Sequence, residues 1–258
     1  MWVVCVRTWL KTFRRPVVLT FSFFQPLMWM LFFGFLFHRY GVDTALQEAG
    51  QGAGVQDLAY IDFLAPGVSI MTVLFGASQS GIGWIRDLQT GFLSRILHSP
   101  AGAGTILAGK LLADVLRLFG QAMIVLLLGL LLGARVAPLL LALPLAITSV
   151  LLFAAALSAL SCTIALRSQA QEAMAAFVHV VNMPLLFTST ALVPDKHMPD
   201  WLATLSAWNP LTVTVDAWRG ALVFGSMPSV WDTLLPLGSF AVLTFWAAVS
   251  AMKHVARG

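Results

Sequence analysis

Gly104, Gly109 and Lys110 stand in the order Gly-x-x-x-x-Gly-Lys, the spacing with which a glycine-rich loop wraps nucleotide phosphates. That chemistry needs a hydroxyl on the next residue to hold Mg²⁺. The next residue is Leu111, and the helix that follows is apolar, so the pattern is excluded as a nucleotide site. Asp216 and Arg219 lie three apart, close enough to pair on one helix face. His179 has no second His or carboxylate at metal-ligand spacing, and no metal site is expected. Cys5 and Cys162 are isolated and read as small packing residues. No HExxH, paired carboxylate or nucleophile elbow is present, so an intramembrane enzyme is set aside.

The elements that carry these residues belong to a membrane protein. The chain has 258 residues, of which 59% are hydrophobic and 10% charged, with a net charge of +4. Its mean hydropathy is +0.87. A soluble domain carries about 25% charged residues, and a helical crossing takes about 20 apolar residues. The length allows roughly six crossings with short loops.

Residues 2–15 predict an amphipathic helix in the interface plane. Trp2, Val6, Trp9, Leu10 and Phe13 form one face, and Arg7, Lys11 and Arg14 the other. Span one is predicted over Val17–Phe37. It is longer than a signal-peptide core and is followed by His38-Arg39-Tyr40 rather than a small-residue cleavage site. The remaining spans are predicted near Asp62–Ile85, Thr105–Gly133, Leu139–Leu166, Ala173–Val193 and Trp231–Met252. A long amphipathic segment, Pro194–Val230, separates the last two.

With the N-terminus inside, the inner segments hold Arg7, Lys11, Arg14, Arg15, Arg86, Arg95, Lys110, Arg117, Arg167, Lys253 and Arg257. The outer ones hold Arg39, Arg135, Lys196 and Arg219. This asymmetry follows the positive-inside rule with both termini cytoplasmic. The basic excess is therefore a topology signal and implies no nucleic-acid partner.

Between spans two and three, residues 86–99 predict a cytoplasmic helix parallel to the membrane. Leu88, Phe92, Ile96 and Leu97 make its apolar face. Arg86, Asp87, Thr90, Gly91, Ser94, Arg95, His98 and Ser99 supply polar groups for a partner, and Pro100 with the following glycines ends it. A plain interfacial helix with snorkelling basic side chains is the alternative. Within the spans the polar groups are Gln25, Ser78, Gln79, Ser80, Gln121, His179 and Asn182. In hydrocarbon such groups line a pathway, sit at a dimer seam or bond between helices. Pro26 and Pro184 are expected to bend their helices, and Gly129-x-x-x-Gly133 to allow close packing.

GFLSRILHSPAGAGTILAGKLL (91–112) and NPLTVTVDAWRGAL (209–222) resemble the signature regions of ABC-2 type permeases. The similarity is strongest to the drug and lipo-oligosaccharide exporter branch, the DrrB/NodJ-like permeases. The order of elements resembles that family as well: a leading amphipathic helix, six spans, a cytoplasmic platform after span two and a long external segment before span six.

The resemblance implies an all-α integral membrane protein, with residues 1–16 interfacial and 17–253 the transmembrane domain. It implies that 86–99 couples to an ATPase subunit. It implies too that short re-entrant helices around Asn209, Pro210, Asp216 and Arg219 close the outer face. The partners it implies are two cytoplasmic ATPase subunits, which would carry the ATP and Mg²⁺, a second permease copy and the lipid bilayer of a bacterial inner membrane. No cofactor is expected on this chain. The implied activity is export of an amphiphilic or hydrophobic molecule. Polysaccharide export is the alternative, which the presence of only two Tyr disfavours. A proton-coupled transporter would need a buried carboxylate or His relay, and Asp62, Asp114 and Asp216 are expected near the interfaces or outside.

Overall fold

The computed structural model describes residues 16–38, 59–93, 102–136, 138–194 and 198–255. The predicted interfacial helix, and Ser94, Arg95, His98, Ser99 and Pro100 of the platform, lie outside the described residues. Among the described residues there is no strand.

Eight α-helices carry the described chain. They are α1 (Pro16–His38), α2 (Tyr60–Gln89), α3 (Ala103–Leu131), α4 (Leu143–Ser168), α5 (Gln171–Phe187), α6 (Asp200–Ala207), α7 (Pro210–Arg219) and α8 (Val230–Val255). A π-helical turn, Gly220–Phe224, continues α7. Four of them, in Tyr60–Gln89, Gly104–Leu131, Leu143–Ser168 and Val230–Val255, are long and apolar enough to cross a membrane. α1 is 23 residues long and without a charge apart from its terminal His38. α5 has 17 residues, about 25 Å at helical rise, slightly short of a bilayer core.

α2 is the axis of the bundle and packs against α1, α3, α4, α5 and α7. Along it, Leu64, Ala65, Ile70, Val73, Leu74 and Ala77 are fully enclosed. The outer faces invert the pattern of a soluble protein. Leu116, Ile124, Leu127 and Leu131 of α3 and Leu235, Val242, Leu243 and Trp246 of α8 are exposed. Such continuous apolar faces are stable only against lipid.

Two helix ends that bear on the polar residues differ from the sequence expectation, and α4 begins at Leu143 rather than Leu139. α2 does not stop at Ile85; it continues to Gln89, so Arg86 and Asp87 belong to the last turn of this long helix rather than to a separate platform helix. The break comes at Thr90–Gly91, where Thr90 Oγ1 donates back to the Arg86 carbonyl at 2.9 Å and Gly91 adopts φ +66°. A new helical turn starts at Phe92. Leu88 and Phe92 therefore lie on opposite sides of a break and do not form one helix face. α5 ends at Phe187 rather than near Val193, because Thr188 and Ser189 fold their hydroxyls back onto the Pro184 and Leu186 carbonyls. The Gly129/Gly133 pair also divides. Gly129 faces Ala65, where an added Cβ would stand 2.5 Å from the Ala65 Cβ, while Gly133 (φ +103°) lies in the turn beyond α3.

Candidate functional site

Polar chemistry gathers in three places along the bundle. The first is the end where α2 stops and α3 starts. Lys110 Nζ lies 2.7 Å from Asp87 Oδ2, with both side chains about nine-tenths shielded (9% and 12% exposed). The same ammonium sits 3.9 Å above the Trp84 ring centroid. Leu93, Ile106, Leu107 and Leu111 form one buried apolar cluster with Trp84 and Ile85 at this end. The lysine of the failed phosphate-loop pattern is thus engaged within the protein. Further along the same α3 face, Arg117 stands 3.8 Å from Asp114 and donates to Gln121 Oε1 at 3.1 Å. Asp114 is buried, and its Oδ2 has no hydrogen-bond partner among the described residues. Arg86, Thr90 and Gln89 are exposed at this end.

The second is the middle of the bundle, where the GASQSGIG stretch of α2 meets α4 and α5. Ser78 Oγ donates to Asn182 Oδ1 at 2.7 Å. Ser161 of α4 bridges two backbone groups of α2: its hydroxyl donates to the Ser78 carbonyl at 2.6 Å and accepts from Gly81 N–H at 2.9 Å. Gly81 lets α4 come this near, since a Cβ there would stand 2.6 Å from Ser161 Oγ and 2.5 Å from Met174 Cε. The glycine-serine pattern is a close helix crossing.

The third is the opposite end, at the start of α2. Arg219 is 2% exposed. Its Nε donates to the Phe63 carbonyl at 3.1 Å, and its terminal nitrogens to the Thr190 and Ala191 carbonyls at 3.2 Å each. Asp216, whose side chain is half exposed, is 3.7 Å from the guanidinium and accepts from Thr190 Oγ1 at 2.8 Å. Asn209 caps α7 by accepting from Leu211 N–H, and its amide donates to the Leu185 carbonyl at 2.7 Å and to Thr188 Oγ1 at 2.9 Å. Trp218 Nε1 reaches Ser69 Oγ at 3.1 Å. Tyr60 donates to the Leu192 carbonyl, and Asp62 accepts from Ala59 and Arg135 N–H. α7 is thereby sealed between α2 and α4, whereas Trp201 and Leu205 of α6 and Trp208 just after it stay exposed.

Against the sequence expectations, Asn209, Pro210, Asp216 and Arg219 do come together, but Arg219 is not half of a surface ion pair. It is a buried cation holding backbone carbonyls from two other segments. The seven polar residues of the spans divide. Ser78, Ser80, Gln121 and Asn182 are buried between helices of this chain, while Gln25, Gln79 and His179 are exposed. Asp62 and Asp87, in the first and last turns of α2, and Asp114 of α3 are buried within the protein, while Asp216 is half exposed. The sequence reading missed Trp84 and Ser161 altogether. It weighed Lys110 as a nucleotide ligand and as an inner basic residue but not as a partner of Asp87, because a pair 23 positions apart leaves no local spacing.

Comparison with known proteins decides the family. The ABC-2 type transporter family model matches residues 1–223. The chain belongs to the ABC-2 type transporter family. It is 31% identical over 221 residues to the transport permease ycf38 of Cyanophora paradoxa, covering 85% of this chain and 72% of that protein. It is 28% identical over 222 residues to the daunorubicin resistance ABC transporter permease protein DrrB1 of Streptomyces coeruleorubidus, covering 86% and 74%. A doxorubicin resistance ABC transporter permease protein, DrrC of Mycobacterium tuberculosis, is 26% identical over 166 residues, 64% of this chain and 60% of that one. The ABC-2 permease is thus similar to the drug-resistance permeases, as the residues 91–112 and 209–222 led one to expect.

Proposed function

We propose that this ABC-2 permease is the membrane subunit of an ATP-driven exporter that carries an amphiphilic or hydrophobic molecule out of the cytoplasm or inner leaflet. The observation that carries the reading is the family match over residues 1–223. The relatives named for daunorubicin and doxorubicin resistance support an amphiphilic cargo of that kind.

ATP hydrolysis belongs to a separate cytoplasmic subunit in this reading, present in two copies with its ATP and Mg²⁺. The burial of Lys110 against Asp87 and Trp84 supports that division, since it leaves the lysine occupied. α1 and α5 complete six spans, with both termini on the cytoplasmic side of a bacterial inner membrane. The Lys110 end is the cytoplasmic one, where Arg86, Thr90 and Gly91 with residues 94–100 meet the ATPase, while Asp87 turns inward to Lys110. The Arg219 end closes the outer face.

A second copy of the permease completes the pathway. Gln25, Gln79 and His179 support this, because exposed polar side chains on spans are disfavoured against lipid alone. ATP binding closes the ATPase dimer, the segment after α2 is displaced, and the two permeases reorient.

The test is co-purification from detergent with the ATPase subunit, followed by daunorubicin transport in proteoliposomes. ATP-dependent uptake into inside-out vesicles, and loss of the ATPase subunit on substitution of Arg86 and Thr90, are expected. Daunorubicin movement by the permease alone on an imposed proton gradient would overturn the assignment.

A further inference from the structure

We infer that Lys110 is a positioning residue for energy coupling: bound to Asp87 and seated over Trp84, it makes the last turns of α2 and the root of α3 one rigid piece. This rests on the proposed docking of the ATPase at the segment that follows α2. The chain leaves α2 at Thr90 and returns as α3 at Ala103. Any push on the intervening segment is delivered to both helix ends. Unless those ends are tied, the push is spent in splaying them.

The tie is specific. The ammonium and the carboxylate meet at 2.7 Å in a nearly closed setting, with the aromatic face 3.9 Å away as a second seat for the cation. A buried ion pair is a poor way to gain stability, because the desolvation of both charges offsets most of their attraction. An apolar pair of similar volume would pack α2 on α3 as well. What the charged pair supplies is a fixed register between the helices. That register continues along α3, where Asp114, Arg117 and Gln121 follow Lys110 at steps of four, seven and eleven on one face. Gln121 Oε1 comes within 3.5 Å of where a Gly76 Cβ would be, so this face lies along α2 for about 16 Å. Displacement at Asp87 then reaches the middle of α3 as a rigid shift.

The experiment uses the permease–ATPase complex in proteoliposomes, with spin labels on the exposed Gln89 and Leu112. In the parent complex the label distance is expected to stay constant between the nucleotide-free and ADP-vanadate states. The near-isosteric neutral pair Asp87→Asn/Lys110→Met removes both charges of the tie together. It is expected to retain the ATPase subunit, to show a shifted label distance on trapping, and to lose permease-dependent stimulation of ATP hydrolysis about tenfold. Lys110→Arg keeps both the charge and the ring contact and is expected to keep coupling. A neutral pair that couples normally with a constant label distance overturns the inference, as does a Lys110→Arg variant no better than the neutral pair. Failure of the parent complex to retain the ATPase subunit at all would instead remove the docking reading beneath it.

Discussion

The guanidinium of Arg219 lies 3.4 Å from the centre of the Phe63 ring, and its Nε donates to the backbone carbonyl of that same Phe63. One residue of α2 therefore holds the cation on two sides, while Thr190 and Ala191 hold it from the turn after α5. A planar fork of donors suits three carbonyls diverging around it; a lysine ammonium is a point charge on a flexible stem and cannot span them. Arg219→Met should lower stability by about 3–5 kcal/mol, because the carbonyls lose a buried donor set. Arg219→Lys should recover less than half of that. Thermal unfolding in detergent measures both, and equal stability of Lys and Arg at this position would contradict the geometry.

Asn209 separates a helix cap from a tertiary strut. Its Oδ1 caps α7, while its amide nitrogen bonds Leu185 and Thr188 of α5 and the turn after it. Asn209→Asp keeps the capping oxygen but turns a second oxygen toward the Leu185 carbonyl. If the strut dominates, Asn209→Asp should cost at least as much as Asn209→Ala, about 1–3 kcal/mol. If the cap dominates, Asp should behave like the parent. The structure leads us to expect the first, and chemical denaturation of the three proteins distinguishes them.

How far the sequence could be read follows from what each signal measures. α3, α4 and α8 were legible because long, predominantly apolar stretches have one stable solution in lipid. The end of α2 was not. Arg86 and Asp87 look like the edge of a span when counted as unpaired charges, but Lys110 takes up Asp87 from across the bundle. The end of α5 was obscured by apolar Ala191 and Leu192, which are buried in the core of the bundle without continuing the helix, and by Val193, which is exposed. Asp216 and Arg219 were found by their spacing, but the main partners of Arg219 are carbonyls. Every residue carries a carbonyl, so no residue type announced them.

Gly81 is needed for its missing side chain. A Cβ there would stand 2.5 Å from Met174 Cε, 2.6 Å from Ser161 Oγ and 2.8 Å from the Ser161 carbonyl oxygen. The Met174 tip is flexible, whereas the Ser161 backbone is not. Gly81→Ala should cost about 1–3 kcal/mol by overpacking. Adding Ser161→Ala should relieve only part of this, because the carbonyl clash persists and the bridge to Ser78 and Gly81 is lost. Full recovery in the double variant, read from melting temperature, would mean that the hydroxyl alone sets the helix spacing.

Gln79 of α2 and His179, midway along the shorter α5, are exposed, and the exposed face of α5 also carries Ala175, Ala176 and Val180. In hydrocarbon a side chain such as His179 or Gln79 is stable only against protein or in a wet cavity, whereas Trp246 of α8, 72% exposed, suits lipid. In a background carrying Cys5→Ala and Cys162→Ala, His179→Cys should form disulfide-linked dimers on mild oxidation in membranes. Trp246→Cys should not, although it is accessible. Mass on non-reducing gels provides the reading. Dimers through position 246 and none through 179 would place the second copy on α8 and leave His179 facing something other than its counterpart. The required distance is short, since a disulfide forms only when the two Cα atoms approach within about 7 Å.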